Sequence, residues 1–102
     1  MRNPMPAEAF SPGDFIREEM ETRGWLPADL ARRAGWSIRF LKGLIDGKRA
    51  LTADAALALA DAFGTSAEYW MNLESSYQLQ RARLRQVEPL KKNAVRNRKR
   101  IA

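Results

Sequence analysis

Asp29-Leu30-Ala31-Arg32-Arg33-Ala34-Gly35-Trp36-Ser37-Ile38-Arg39-Phe40-Leu41 sets two helical runs end to end with almost nothing between them. Leu30, Ala31 and Ala34 give the first run an apolar face, and Gly35 stops it with a residue that accepts left-handed backbone. After Trp36 alone, Ser37 is placed to cap a second run, whose apolar set is Ile38, Leu41, Leu44 and Ile45. Two short helices joined by a Gly turn, the second capped by Ser, make a helix-turn-helix arrangement. Many αα-hairpins share that outline, so the flanking elements decide its weight.

Upstream, Ser11 stands three residues before Asp14 with Pro12 between them, the spacing of a capping box with Pro at the first helical position. Phe10 and Phe15 flank this cap at staple spacing. A first helix then runs to about Arg23, buries Phe15, Ile16 and Met20, and stops at Gly24. Residues 1–10, with two prolines, read as an arm. The second helix covers about Pro27 to Ala34 and the third about Ile38 to Ile45, ending at Asp46-Gly47. Thr52 caps a fourth, with Asp54 in its first turn and Ala56, Leu59, Ala60 and Phe63 at i, i+3, i+4, i+7 spacing. It ends at Gly64. Thr65 and Glu68 then pair as another capping box. The fifth helix carries Trp70, Leu73 and Tyr77 on one face and reaches about Arg85, with Pro89 as its stop. No strand alternation occurs, so the fold class is all-α with five helices. Residues 11–87 form the domain, and residues 88–102 a basic tail too poor in apolar residues to order itself.

Composition narrows the function. With 102 residues and 45% apolar content, the chain fits one domain of modest core. It has no Cys and no His, which removes disulfides, thiolate zinc sites and Ser–His–Asp or Cys–His nucleophile chemistry. No enzyme, metal or cofactor reading follows. No apolar stretch approaches the roughly 18–20 residues of a membrane span, and no secretory run opens the chain, so the expected place is the cytoplasm, on the nucleoid through DNA. The net charge of +6 is uneven. Residues 1–80 hold nine Lys or Arg against eleven Asp or Glu, a net of −2, whereas residues 81–102 hold nine against one, a net of +8. The basic balance belongs to the C-terminal segment and not to the domain.

Gly24-Trp25 followed by Asp29 through Ser37 resembles the Xre-type repressor helix-turn-helix. Gly47-Lys48 … Leu51-Thr52-Ala53-Asp54-Ala55-Ala56 and Phe63-Gly64-Thr65-Ser66-Ala67-Glu68-Tyr69-Trp70-Met71-Asn72-Leu73 … Tyr77 are similar to the HigA family of antitoxins, as is the opening Ser11-Pro12-Gly13-Asp14. The likeness covers about residues 11–80. It implies a lambda-repressor-like domain that forms a homodimer, represses its own operon at an inverted repeat in double-stranded DNA and neutralises a co-encoded small ribonuclease-type toxin. Where the family usually opens its second helix with Ser-Gln, this chain has Leu26-Pro27, which removes a phosphate contact and leaves a poor cap. A solitary phage-type repressor, or a toxin-binding protein that no longer reads DNA, stays open.

The motif lays the start of the third helix across the major groove. Arg39, at its second position, can fork onto the O6 and N7 of a guanine. Lys42, one turn on, reaches a base or a phosphate. Ser37 is a cap first and a phosphate donor second. Ile38 belongs to both the apolar set and this face. Phe40 packs either on a thymine methyl or on protein. Gly43 lowers helix propensity and implies close approach of DNA or another helix. Lys48 and Arg49, in the loop that follows, meet the phosphate backbone. Arg32 and Arg33 are weaker candidates on a solvated face. Trp36 has staple spacing to Leu41, which assigns it to the core. Part of the Trp70–Tyr77 stripe is open to a dimer contact. Asp14, Glu18, Glu19 and Glu21 form a solvated face or a surface for a basic toxin.

Overall fold

Each helix begins on a hydrogen bond that the local sequence supplies, and these starts fix the architecture of the computed structural model. The structure describes the backbone of residues 10–101 and side chains as far as residue 86. Within them lie α1 (Pro12–Arg23), α2 (Pro27–Ala34), α3 (Ile38–Ile45), α4 (Ala53–Phe63) and α5 (Ala67–Ile101), and no strand. The all-α, five-helix expectation holds. Residues 1–9 of the arm lie outside the described residues.

At α1 the Ser11 N–H donates to Asp14 Oδ2 at 3.2 Å, with Pro12 in the first turn. Ser37 Oγ accepts the Phe40 N–H at 3.0 Å, and Thr52 Oγ1 the Ala55 N–H at 3.2 Å. Two expectations need correction. Leu26 has no oxygen to offer the first turn of α2, yet its own N–H donates to Asp29 Oδ2 at 2.8 Å, so half of a capping box survives. At α5 the cap is Ser66, whose Oγ accepts the Tyr69 N–H at 3.0 Å, and not Thr65. Thr65 is used otherwise. Its hydroxyl accepts the Trp70 indole N–H at 2.7 Å, giving a fully buried ring its polar partner.

The core gathers Ile16 and Met20 from α1, Leu30 from α2, Leu41 and Leu44 from α3, Leu59 and Phe63 from α4, and Trp70 from α5. Trp25 stacks on Phe63 at 5.4 Å between ring centroids, closing one end. Phe15, Ile45, Leu73 and Tyr77 are half-buried, and Ile38, expected inside, is 42% exposed. Trp36 packs against the core, but its aromatic partner is Phe40, at 5.1 Å.

The helix-turn-helix is wedged in place from the other side. Gly35 takes φ 76°, the left-handed turn that redirects the chain from α2 to α3. Gly13 lies so close to the end of α3 that a Cβ there would sit 2.3 Å from the Ile45 carbonyl oxygen. α3 is thus held between α1 and α2, while α4 and α5 form a hairpin behind them.

The end of α5 is the largest departure from the sequence reading. The helix does not stop near Arg85 but runs 35 residues, through Pro89 to Ile101. Proline removes one backbone donor and crowds one carbonyl, a local cost of about 3 kcal/mol. The residues beyond it (Leu90, Lys91, Lys92, Ala94, Arg96) favour helix, and no Gly interrupts them. The tail without order is therefore replaced by a helical extension.

Candidate nucleic-acid interface

α3 turns Leu41 and Leu44 into the core and leaves Ile38, Arg39 and Lys42 exposed on the opposite face. Its first turn is held by the Ser37 hydroxyl, so the backbone amides and positive end of the helix dipole point outward beside Arg39. The loop after α3 then returns along the same face. Arg39, Lys42, Gly43, Asp46, Lys48 and Arg49 line one open depression, four cations around a single carboxylate. It gathers four of the nine Lys and Arg residues of positions 1–80, a stretch that is net negative as a whole.

Of the ion pairs formed among the described residues, none uses these four cations; the arginines taken are Arg17, Arg23 and Arg32. Arg32 is bonded to Asp29 at 3.1 Å and Arg33 lies over the Trp25 ring at 4.3 Å, which explains why the α2 pair are the weaker phosphate candidates. Free guanidinium and ammonium groups on one exposed face can neutralise phosphates and donate to base edges.

Five of the eight residues singled out from the sequence around α3 (Arg39, Lys42, Gly43, Lys48 and Arg49) line this depression, while Ser37 and Ile38 are exposed just before it and Phe40 is half-buried. Arg49 passes close over Gly43. A Cβ at this position would lie 2.9 Å from both Cδ and Nε of Arg49, whose stem crosses the helix there. The Gly43 carbonyl accepts the N–H of Lys48 at 2.9 Å and of Arg49 at 3.2 Å, fastening the loop to the helix. The Arg49 guanidinium ends 5.1 Å from the centre of the Phe40 ring.

Two contributors escaped the sequence reading. Asp46 lines the depression and tempers its charge. Glu74 of α5 is 7% exposed, and its carboxylate accepts the Leu51 N–H at 3.2 Å and a Gln78 amide N–H, anchoring the far end of the Lys48–Leu51 loop. Glu74 sits at i+4 from Trp70 on the inward stripe of α5, a position where a carboxylate signals a backbone partner.

Residues 13–69 match the helix-turn-helix domain family. The Pseudomonas aeruginosa antitoxin HigA, solved with the higBA promoter, is 32% identical at a TM-score of 0.74, over 81% of this chain and 91% of that one. The chain belongs to the HigA family of helix-turn-helix proteins. A HigA-family addiction module antidote protein from Coxiella burnetii is similar too, 29% identical at a TM-score of 0.74 over 83% of this chain and 94% of that one. By sequence, virulence-associated protein I of Dichelobacter nodosus is 34% identical over 82 residues, 79% of this chain and 74% of the relative. No helix among the described residues is long and apolar enough to cross a membrane.

Proposed function

We propose that this chain is the DNA-binding antitoxin of a toxin–antitoxin pair, which represses its own operon by binding an inverted repeat as a homodimer. The observation that carries the reading is the four-cation face of Arg39, Lys42, Lys48 and Arg49 around the outward side of α3. An α-helix fits the major groove, and a short α3 spans only a few base pairs. Two copies with their α3 helices about 34 Å apart read two half-sites on one side of the duplex. Arg39 reads a base edge; Lys42 reaches a base or a phosphate; Lys48 holds a phosphate; Ser37 and Ile38 border the contact. Membership of the HigA family supports a co-encoded small toxin as the second partner, of ribonuclease type.

Purified protein should shift a duplex carrying its own promoter and protect an inverted repeat. Specific sites typically bind about 10³-fold or more tighter than random DNA at physiological salt. Equal affinity for promoter and random duplex would sink the repressor reading. Within the specific complex, Arg39→Ala should weaken the operator by about 1–3 kcal/mol and relax one position. Lys48→Ala should weaken all sequences alike and reduce the salt slope by about one unit.

A further inference from the structure

We infer that Arg49 is a specificity-determining residue that reads a guanine edge in the major groove, aimed by Gly43 and Phe40 as positioning residues. The inference rests on the DNA-binding reading above and replaces the expectation that Arg49 meets only the phosphate backbone.

Arg49 leaves the main chain in an exposed loop beyond the C-terminal end of α3, where a phosphate-binding side chain needs no support. Arg49 instead folds back. The backbone N–H of both Lys48 and Arg49 donates to the Gly43 carbonyl, but the Arg49 stem alone runs over the bare Cα of Gly43, and its guanidinium ends 5.1 Å from the centre of the Phe40 ring. The path runs from residue 43 to residue 40, one turn toward the N-terminus of α3. That brings the guanidinium to the end of the helix that enters the groove, in the depression it shares with Arg39.

Each support is itself fixed. The Phe40 ring packs on Trp36, and the Phe40 N–H is held by the Ser37 hydroxyl. A side chain at position 43 would push the outer Arg49 stem off this path. Among the described residues no carboxylate forms an ion pair with Arg49, so its fork of donors is free. A guanidinium resting beside the Phe40 ring has fewer orientations to lose on docking than one free in solvent, and its planar fork matches the O6 and N7 of guanine. Phosphate would be served as well by a mobile Lys, base reading would not.

The test measures dissociation constants at about 150 mM salt for the operator, for every single-base variant of one half-site and for a random duplex. Wild type is compared with Arg49→Ala, Arg49→Lys, Gly43→Ala and Gly43→Ala/Arg49→Ala, each checked by circular dichroism and melting. Arg49→Ala should lower the ratio of operator to random affinity by about 5- to 150-fold and level the preference at one guanine. Arg49→Lys should restore random-DNA affinity but not that preference. Gly43→Ala should lower the ratio in the wild-type background and have little further effect beside Arg49→Ala. Phe40→Leu, which keeps an apolar side chain without the ring, gives the same reading should Gly43→Ala melt. Equal losses on operator and random DNA for Arg49→Ala, made good by Lys, would overturn the assignment while leaving the repressor reading intact. A wild-type chain without operator preference would overturn both.

Discussion

Replacing Gly13 by Ala puts one methyl into the contact that seats α3. The new Cβ would stand 2.3 Å from the Ile45 carbonyl oxygen and 2.6 Å from that of Leu44. Comfortable contact lies near 3.5–4.0 Å, so α1 and α3 must separate by about 1 Å. Both obstacles are backbone atoms, which cannot swing aside as a side chain can. Opening the joint by that much forfeits a quarter to a half of the dispersion energy of the touching atoms, about 1–3 kcal/mol or more for overpacking in a close-packed site. Against this, Ala exceeds Gly in helix propensity by about 1 kcal/mol. The two effects have opposite signs, which makes the outcome decisive. Because both obstacles are backbone, the steric cost falls at the upper end, about 3 kcal/mol; the net loss is then about 2 kcal/mol, and a domain of 60–100 residues should melt about 8–16 °C lower. Differential scanning calorimetry on the full chain reads this directly. A melting temperature equal to or above that of wild type would mean that α1 does not press on α3 as described.

Two further predictions concern helix starts. The Leu26 N–H, and next the Arg32 guanidinium, hold the Asp29 carboxyl below its ordinary value of 3.8. A lowered folded-state value stabilises the fold above 3.8, and that contribution drains away as pH falls through it. Urea midpoints of wild type and Asp29→Asn should therefore differ near neutral pH and draw together as pH falls below 3.8; a gap that stays constant would contradict the bonding at α2. Thr65→Val should strand the indole N–H of the buried Trp70 and cost about 1–3 kcal/mol. Ser66→Ala should cost about 1 kcal/mol as a lost cap. If Ser66→Ala proves the more damaging, the roles of the two hydroxyls are misassigned.

Much of this molecule is legible from local spacing, because its elements are short and punctuated. Gly35 and Ser37 bracket the turn, and the bounds of α2 and α3 follow from caps and apolar periods that act within four residues. What escaped inspection is nonlocal or ambiguous. Thr65 and Ser66 are adjacent hydroxyls, and only the packed position of Trp70 decides which one caps α5. Glu74 finds its partner at Leu51, 23 residues away in the chain. The close neighbour of Gly43 is the side chain of Arg49, which arrives from the following loop. Leu26-Pro27 reads as a poor cap until the reverse bond from its own N–H to Asp29 is seen. At Pro89 the punctuation rule misled, since one lost donor did not outweigh a run of good helix formers.

The length of α5 gives the molecule an electrical shape. At 1.5 Å per residue, the stretch from residue 91 to residue 100, with its six cations, lies about 36–50 Å along the axis from the start of the helix. Its near end stands about 16 Å beyond Gln80, which still faces the body, about twice the ~8 Å screening distance at physiological salt, so the acidic body does little to cancel it. The chain is a dipole, with a negative body and a positive rod. Near a polyanion such an object feels a torque before it makes any contact, and it arrives rod first. Such a charge distribution would draw the far end of α5 toward any polyanion first, whatever its sequence.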